Sequence, residues 1–254
     1  MTGRPEDFYE IRRFAPETPE RLIALVNGRM LFNKHLGFRR DICELRSEGD
    51  EKFLAAEKLF LEIFYEAFSQ NLLKPQGLLG FFEADSQGET LRLYGRGGQA
   101  AAEFTFPRLA GTENIQCLPD LVPRKDSGAR KSVALFVCTA GPGCIERANE
   151  LSQSGEYVKS HMLNIAAMTA AEAMAEAAQE FAQSGTAFSR SGGGIPALPP
   201  QTAGRRFSFG YPLCPDLDGQ KTIFSLLKPE RIGVSLTETM MMYPEASVSG
   251  MIFI

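Results

Sequence analysis

The segment 204–215, Gly-Arg-Arg-Phe-Ser-Phe-Gly-Tyr-Pro-Leu-Cys-Pro, holds the densest set of groups able to grip a ligand. Pro212 and Pro215 push Tyr211 and Cys214 toward extended geometry, and Gly210 supplies a position without Cβ where a ligand or another backbone can come close. Two readings follow. Either the segment is a rigid, strand-like rail with exposed amides, an aromatic ring and guanidinium groups at one end, or it is a proline-stiffened connector. Glu172, Glu176 and Glu180 repeat at i, i+4 and i+8 in an alanine-rich stretch, where like charges on one helical face repel. They read either as a solvated acidic face or as a cleft in which one carboxylate meets an ammonium or sulfonium group. Gly95-Arg-Gly97-Gly98-Gln-Ala100 formally fits a dinucleotide fingerprint, but that chemistry needs a helix N-terminus directly after it. Strand-like Phe104-Thr-Phe-Pro follows instead, so a turn is expected there. Two histidines and five irregularly spaced cysteines form no C-x-x-C and no paired metal-ligand spacing, so no metal site is expected and the thiols read as reduced and mostly buried.

The elements that must position these groups are legible in part. Asp50 can cap a helix running to about Asn71, with Phe53, Ala56, Phe60, Phe64 and Ala67 on one face and Lys58, Glu62 and Glu66 on another. Residues 90–95 and 102–106 alternate apolar and polar around the glycine turn, which predicts a hairpin. Residues 132–138 are a continuous apolar run suited to a buried central strand, and 156–183 form the long alanine-rich helix. Residues 184–204 lose all periodicity and read as a mobile Gly/Pro-rich loop within a single domain. A short helix at 218–227 and two strand-like segments, 234–243 and 247–254, complete the chain. Residues 1–48 are mixed, with partial helical spacing at 22–36. Helices and strands do not alternate strictly, which predicts an α+β fold with a largely antiparallel sheet.

Composition narrows the classes. With 254 residues, 44% hydrophobic and 23% charged, the chain can bury a core without metals or disulfides. Its 27 basic and 31 acidic side chains leave a net charge of −4, which speaks against a nucleic-acid partner. No uncharged apolar run reaches the roughly 18 residues of a membrane span, and no secretory leader is visible. A cytoplasmic location is the expectation.

Four blocks in order carry a family resemblance. Arg206-Phe-Ser-Phe-Gly210-Tyr211-Pro212-Leu-Cys214-Pro215 resembles the R-x-x-x-G-Y-P-x-C-P signature of the activation (reactivation) domain of cobalamin-dependent methionine synthase. Residues 236–250, Leu-Thr-Glu-Thr-Met-Met-Met-Tyr-Pro-Glu-Ala-Ser-Val-Ser-Gly, resemble its L-T-E-S-x-x-M-W-P-x-A-S-V-S-G block, and residues 117–128 and 80–88 resemble two further blocks. The resemblance implies a C-shaped α+β domain that binds S-adenosylmethionine and docks on a cobalamin-bearing protein. There the methyl group of S-adenosylmethionine and an electron from flavodoxin or a similar reductant restore oxidised cob(II)alamin. It implies that Arg206 holds the ligand's carboxylate. The backbone around Gly210, Tyr211 and Pro212 would meet the adenosyl portion, and Glu172, or Glu176 one turn on, would lie near the ligand. The chain carries no D-x-H-x-x-G corrinoid motif, residues 1–48 look unlike the family's N-terminal motif, and the family's Tyr-Tyr tail has no counterpart. The expectation is therefore a stand-alone partner of a separate corrinoid-dependent methionine synthase. Two rival readings are a corrinoid-protein interaction module that no longer binds ligand, and an S-adenosylmethionine-dependent methyltransferase with another acceptor.

Overall fold

The computed structural model describes residues 9–110, 117–189, 194–198 and 204–254. In chain order the strands are β1 (Arg12–Phe14), β2 (Gln76–Gln87), β3 (Thr90–Tyr94), β4 (Ala100–Thr105), β5 (Lys131–Thr139), β6 (Arg205–Phe207), β7 (Ser235–Leu236), β8 (Met242–Tyr243) and β9 (Ser247–Phe253). The helices are α1 (Pro19–Ile23), α2 (Ile42–Glu48), α3 (Glu51–Ser69), α4 (Gly143–Gln153), α5 (Tyr157–Ser184) and α6 (Gly219–Leu227), and a π-helical turn spans Met30–His35. The main sheet runs β4-β3-β2-β5-β9-β6, with β1 beside the first half of β2. All of its strand pairs are antiparallel. A mixed fold on a largely antiparallel sheet is what the sequence predicts.

Local chemistry explains where the helices begin. The Asp50 carboxylate accepts from the Phe53 amide at 2.9 Å and opens α3, and Asp41 caps α2 in the same way through Cys43, each satisfying a donor the helix itself cannot. Strand β5 shows how the sheet divides the core. Its odd residues Val133, Leu135 and Val137 join one apolar cluster with α6, and its even residues Ala134, Phe136 and Cys138 join another with α3 and α5. A period of two with apolar residues on both faces is the mark of a central strand. Helix α5 packs its alanines against the second face and leaves one open strip: His161, Met168 and Glu172, with Asn164 and Glu176 half-buried.

Three expectations need correction. The segment 234–243 is not one strand. It is two dipeptide strands, β7 and β8, joined by a tight turn in which Thr237 donates its amide to the Met241 carbonyl and Met240 adopts φ +63°. The segment 204–215 extends only through Phe207. It then folds back at Tyr211, with the Gly210 amide bonded to the Cys214 carbonyl and the Cys214 amide to the Tyr211 carbonyl, so two of the amides assigned to a rail are consumed by a turn. Gly210 sits at φ +90°, a left-handed conformation open to glycine. The long β2 and α4 went unread in the sequence. Strand β2 is buried on both faces along Leu78 and Leu79 and shows no alternation, and α4 begins at the glycine of a Gly-Pro-Gly triplet that reads as a breaker. Of the stretch 184–204, Gly194–Leu198 is anchored, the Pro196 and Ala197 carbonyls accepting from Gly28 and Arg29; 190–193 and 199–203 lie outside the described residues.

Strand β6 can pair with β9 only because position 250 is glycine. A Cβ there would stand 2.2 Å from the Phe207 carbonyl oxygen and 3.0 Å from the Phe136 ring. No carbon fits at that distance, so Gly250→Ala is expected to push β6 outward and to cost about 1–3 kcal/mol of stability. The readout is a lower urea midpoint at an unchanged slope.

Candidate functional site

Register decides which way the basic pair points. Arg206 lies opposite Ile252, and Arg205 and Phe207 lie opposite Phe253 and Met251. Ile252 faces α5, whereas Phe253 and Met251 face the other layer, so Arg206 is directed at α5 and Arg205 away from it. The Arg206 guanidinium reaches the open strip of that helix. Its Nη2 lies 2.6 Å from a Glu176 carboxylate oxygen and 4.0 Å from one of Glu172. Its Nη1 is buried with no hydrogen-bond partner. A buried cationic donor left unpaired is costly, and here the vacant donor belongs to a group on the wall of a cleft.

The acidic stripe is therefore neither uniformly solvated nor uniformly repulsive. Glu176 is paired with Arg206, its side chain 20% exposed. Glu180 is buried and accepts from both the amide and the hydroxyl of Ser189. Glu172 alone keeps an open carboxylate, 56% exposed. Burial of its inner side pushes its pKa up, against the pull of Arg206 and with the push of Glu176.

The cleft has two lobes of about 480 and 460 Å³ that share Glu172, Arg206, Tyr211, Ser247 and Val248. The first lobe adds Phe207, Phe209, Gln220 and the run Met240, Met241, Met242. The second adds Asn27, Met30, His35, Met168 and Glu245. Of the residues singled out from the sequence, Glu172, Arg206 and Tyr211 converge on both lobes, whereas Gly210 and Pro212 flank Tyr211 in its turn and do not line the cleft. The sequence reading missed the methionine run and Gln220. It also missed Asn27, Met30 and His35 of the N-terminal segment. The available signal was Met168, which stands at helical spacing before Glu172 and Glu176 on one strip. Another cavity of about 310 Å³ lies between α3, α4 and α5. Its basic groups are paired locally, Lys159 with Glu156 and Arg147 with Glu150, so it presents no comparable vacant donor.

The thiols near the cleft are structural. Cys138 is fully buried behind Arg206 and burial raises its pKa. Cys214 is pushed up to about 11 by burial, and its thiol donates to the Ser208 carbonyl, which closes the turn that carries Tyr211. Neither forms a thiolate near neutral pH. Burial, and then the neighbouring His161, lower the pKa of His35. Among the described residues no helix is long and apolar enough to cross a membrane.

An antiparallel sheet thus carries a cleft at the α5–β6–β9 junction, furnished with one part-buried guanidinium, Arg206, and the exposed carboxylates of Glu172 and Glu245. Residues 44–254 match the family model described as the activation domain of vitamin B12 dependent methionine synthase, and the chain belongs to that family. It is similar to the methionine synthase of Mycobacterium tuberculosis (strain ATCC 25618 / H37Rv), 28% identical over 192 residues that make up 68% of this chain and 16% of that protein. The methionine synthase of Mycobacterium leprae (strain TN) is 28% identical over 162 residues, 59% of this chain and 13% of that protein. The chain thus spans only a small part of the curated relatives it matches. A solved structure described as the MetH reactivation domain bound to AdoHcy shares the fold, with a TM-score of 0.79 at 23% identity over 96% of this chain and 78% of that one.

The two glutamates should respond oppositely to neutralisation. Glu176→Gln removes the nearest countercharge from a half-buried guanidinium while keeping an acceptor oxygen, and is expected to cost about 1–2 kcal/mol. Glu172 has a raised folded-state pKa, so its favourable contribution is present below the ordinary value of 4.5 and is lost as pH rises through the folded value. Glu172→Gln should therefore match wild type at acid pH and show a slightly higher denaturation midpoint at neutral pH. Urea titrations of both variants at the two pH values check the pair of signs.

Proposed function

We propose that the cleft binds S-adenosylmethionine, and that the chain supports reductive methylation of cob(II)alamin on a separate corrinoid-dependent methionine synthase. One observation carries the ligand assignment: the vacant, buried Nη1 of Arg206 at the wall of a family-matched fold. A carboxylate beside that nitrogen would complete the charge-assisted pairing that Glu176 satisfies on one side only. Glu172, open and next to the guanidinium, is placed for the ligand's ammonium or sulfonium. Phe207, Phe209 and the methionine run offer the first lobe an apolar wall for a flat heterocycle, and Tyr211 stands at the lip, 65% exposed. Gly210 and Pro212 serve by shaping the turn that carries Tyr211.

The bound ligand supplies a methyl group from its sulfonium, leaving S-adenosylhomocysteine, while an external reductant such as flavodoxin supplies the electron. This chain's residues bind and orient. Arg206 fixes one end of the ligand, the apolar lobe fixes the other, and the open mouth exposes the sulfonium to a partner. Exposed Met30, Met168, Tyr211 and Met241 line that mouth. Thioethers adapt well to a varied apolar surface, which suits a corrinoid-bearing partner that covers the mouth transiently.

Calorimetric titration with S-adenosylmethionine tests the assignment. Arg206→Ala should lose about 2–5 kcal/mol of binding, roughly thirtyfold to several thousandfold in affinity. Arg206→Lys should recover only part, because an ammonium cannot make the planar two-point contact. Arg205→Ala should bind like wild type, since Arg205 points to the opposite face. Equal losses at the two arginines would reduce the effect to general electrostatics. Full affinity in Arg206→Ala would refute the carboxylate clamp, and a wild-type protein that fails to bind would point to the interaction-module reading.

A further inference from the structure

We infer that Gln220 is a positioning residue for the cleft, holding its methionine wall in a conformation the chain would otherwise avoid; this rests on the ligand assignment above. Gln220 opens α6, is 4% exposed and faces the first lobe. Its amide is used at both ends. Nε2 donates to the Met240 carbonyl at 2.8 Å, and Oε1 accepts from the Ser249 hydroxyl at 3.0 Å. The orientation is unambiguous because a carbonyl can only accept.

The residue it holds is unusual. Met240 sits at φ +63°, where an unbranched side chain is disfavoured relative to glycine. Such a conformation persists only when its surroundings over-determine it. Around Met240 the local turn contributes Met240 N to the Thr237 carbonyl at 3.0 Å and Met241 N to the Thr237 hydroxyl at 3.1 Å. Gln220 is the tie that reaches across from α6 and links this turn to β9 through Ser249. Without it the Met240 carbonyl loses its anchor to α6 and the turn can relax. The wall formed by Met240, Met241 and Met242 would then leave the position that shapes the lobe.

Protein carrying 13C-methyl methionine gives a direct reading of that wall, because methyl signals report position with or without ligand. In Gln220→Leu and in Gln220→Glu, which keeps the side-chain length but sets a carboxylate against the Met240 carbonyl, the signals of Met240, Met241 and Met242 are expected to narrow and move toward free methionine. Buried Met162, Met174 and Met251 should stay in place. Affinity for S-adenosylhomocysteine should fall about tenfold, roughly 1.4 kcal/mol. Adding Met240→Gly to Gln220→Leu should recover part of that loss, since glycine takes the left-handed conformation without strain. A role confined to packing α6 would show no such recovery and would shift the buried methionines as well, and that result overturns the inference. So do unmoved wall signals in both Gln220 variants. If wild type binds no adenosyl ligand, the ligand assignment falls, while the methyl spectra of the free proteins still decide whether Gln220 holds the wall.

Discussion

Arg206 is a cation on a three-residue edge strand, and its half-buried position exists only because β6 can lie close against β9. That approach depends on the missing side chain at Gly250, whose place is taken by the Phe207 carbonyl. Once the strands are paired, the alternation of the pleat sends the guanidinium toward α5 and the neighbouring Arg205 to the other side. Glu176 then compensates one nitrogen and leaves the other buried without a partner. The electrostatics of the cleft and the different environments of Glu172 and Glu176 follow from this one close packing of strands.

Helix α5 complements that constraint from the opposite side. Its buried face is built mainly from Ala166, Ala167, Ala170, Ala171 and Ala173, and it lies so close to the sheet that carboxylates on the adjoining strip come within reach of β6. Small side chains are what allow the approach; longer ones would hold the helix away. Strand β9 supplies the rest of the support through buried hydroxyls. Ser247 bonds to Thr139 at 2.9 Å and Ser249 to Gln220 at 3.0 Å, so polar groups lining the floor are satisfied within the protein.

Much of this was readable in residue order, and the failures share a cause. The capped α3, the β3–β4 hairpin, the central β5 and the long α5 announce themselves through local patterns, because each is dictated by its own capping residue or period. The ordered blocks around Arg206 and 236–250 brought the cleft into view through resemblance. What stayed hidden depends on distant pairing. Whether Glu172, Glu176 or Glu180 keeps an open carboxylate is decided by the register of β6 on β9 and by Ser189, none of which the helical spacing encodes. The turns at Tyr211 and Met240 look extended in sequence because prolines and β-branched residues surround them, yet their backbone hydrogen bonds close across only a few residues. The contribution of Asn27, Met30 and His35 arises from packing of a segment with no clear periodicity.

The edge position of β6 has a consequence for how the protein behaves when warmed. A three-residue strand with one neighbour has few backbone bonds to break, so it belongs to the part of the fold that opens at low free energy while the β2–β5–β9 centre stays closed. The cleft's only guanidinium among the described lining residues leaves with it. Were the cleft to take the proposed ligand, its capture would be tied to the fraying of a sheet margin rather than to global melting. A molecule bridging Arg206 and the first lobe would then act as a clasp on that margin, lending it order it does not have alone.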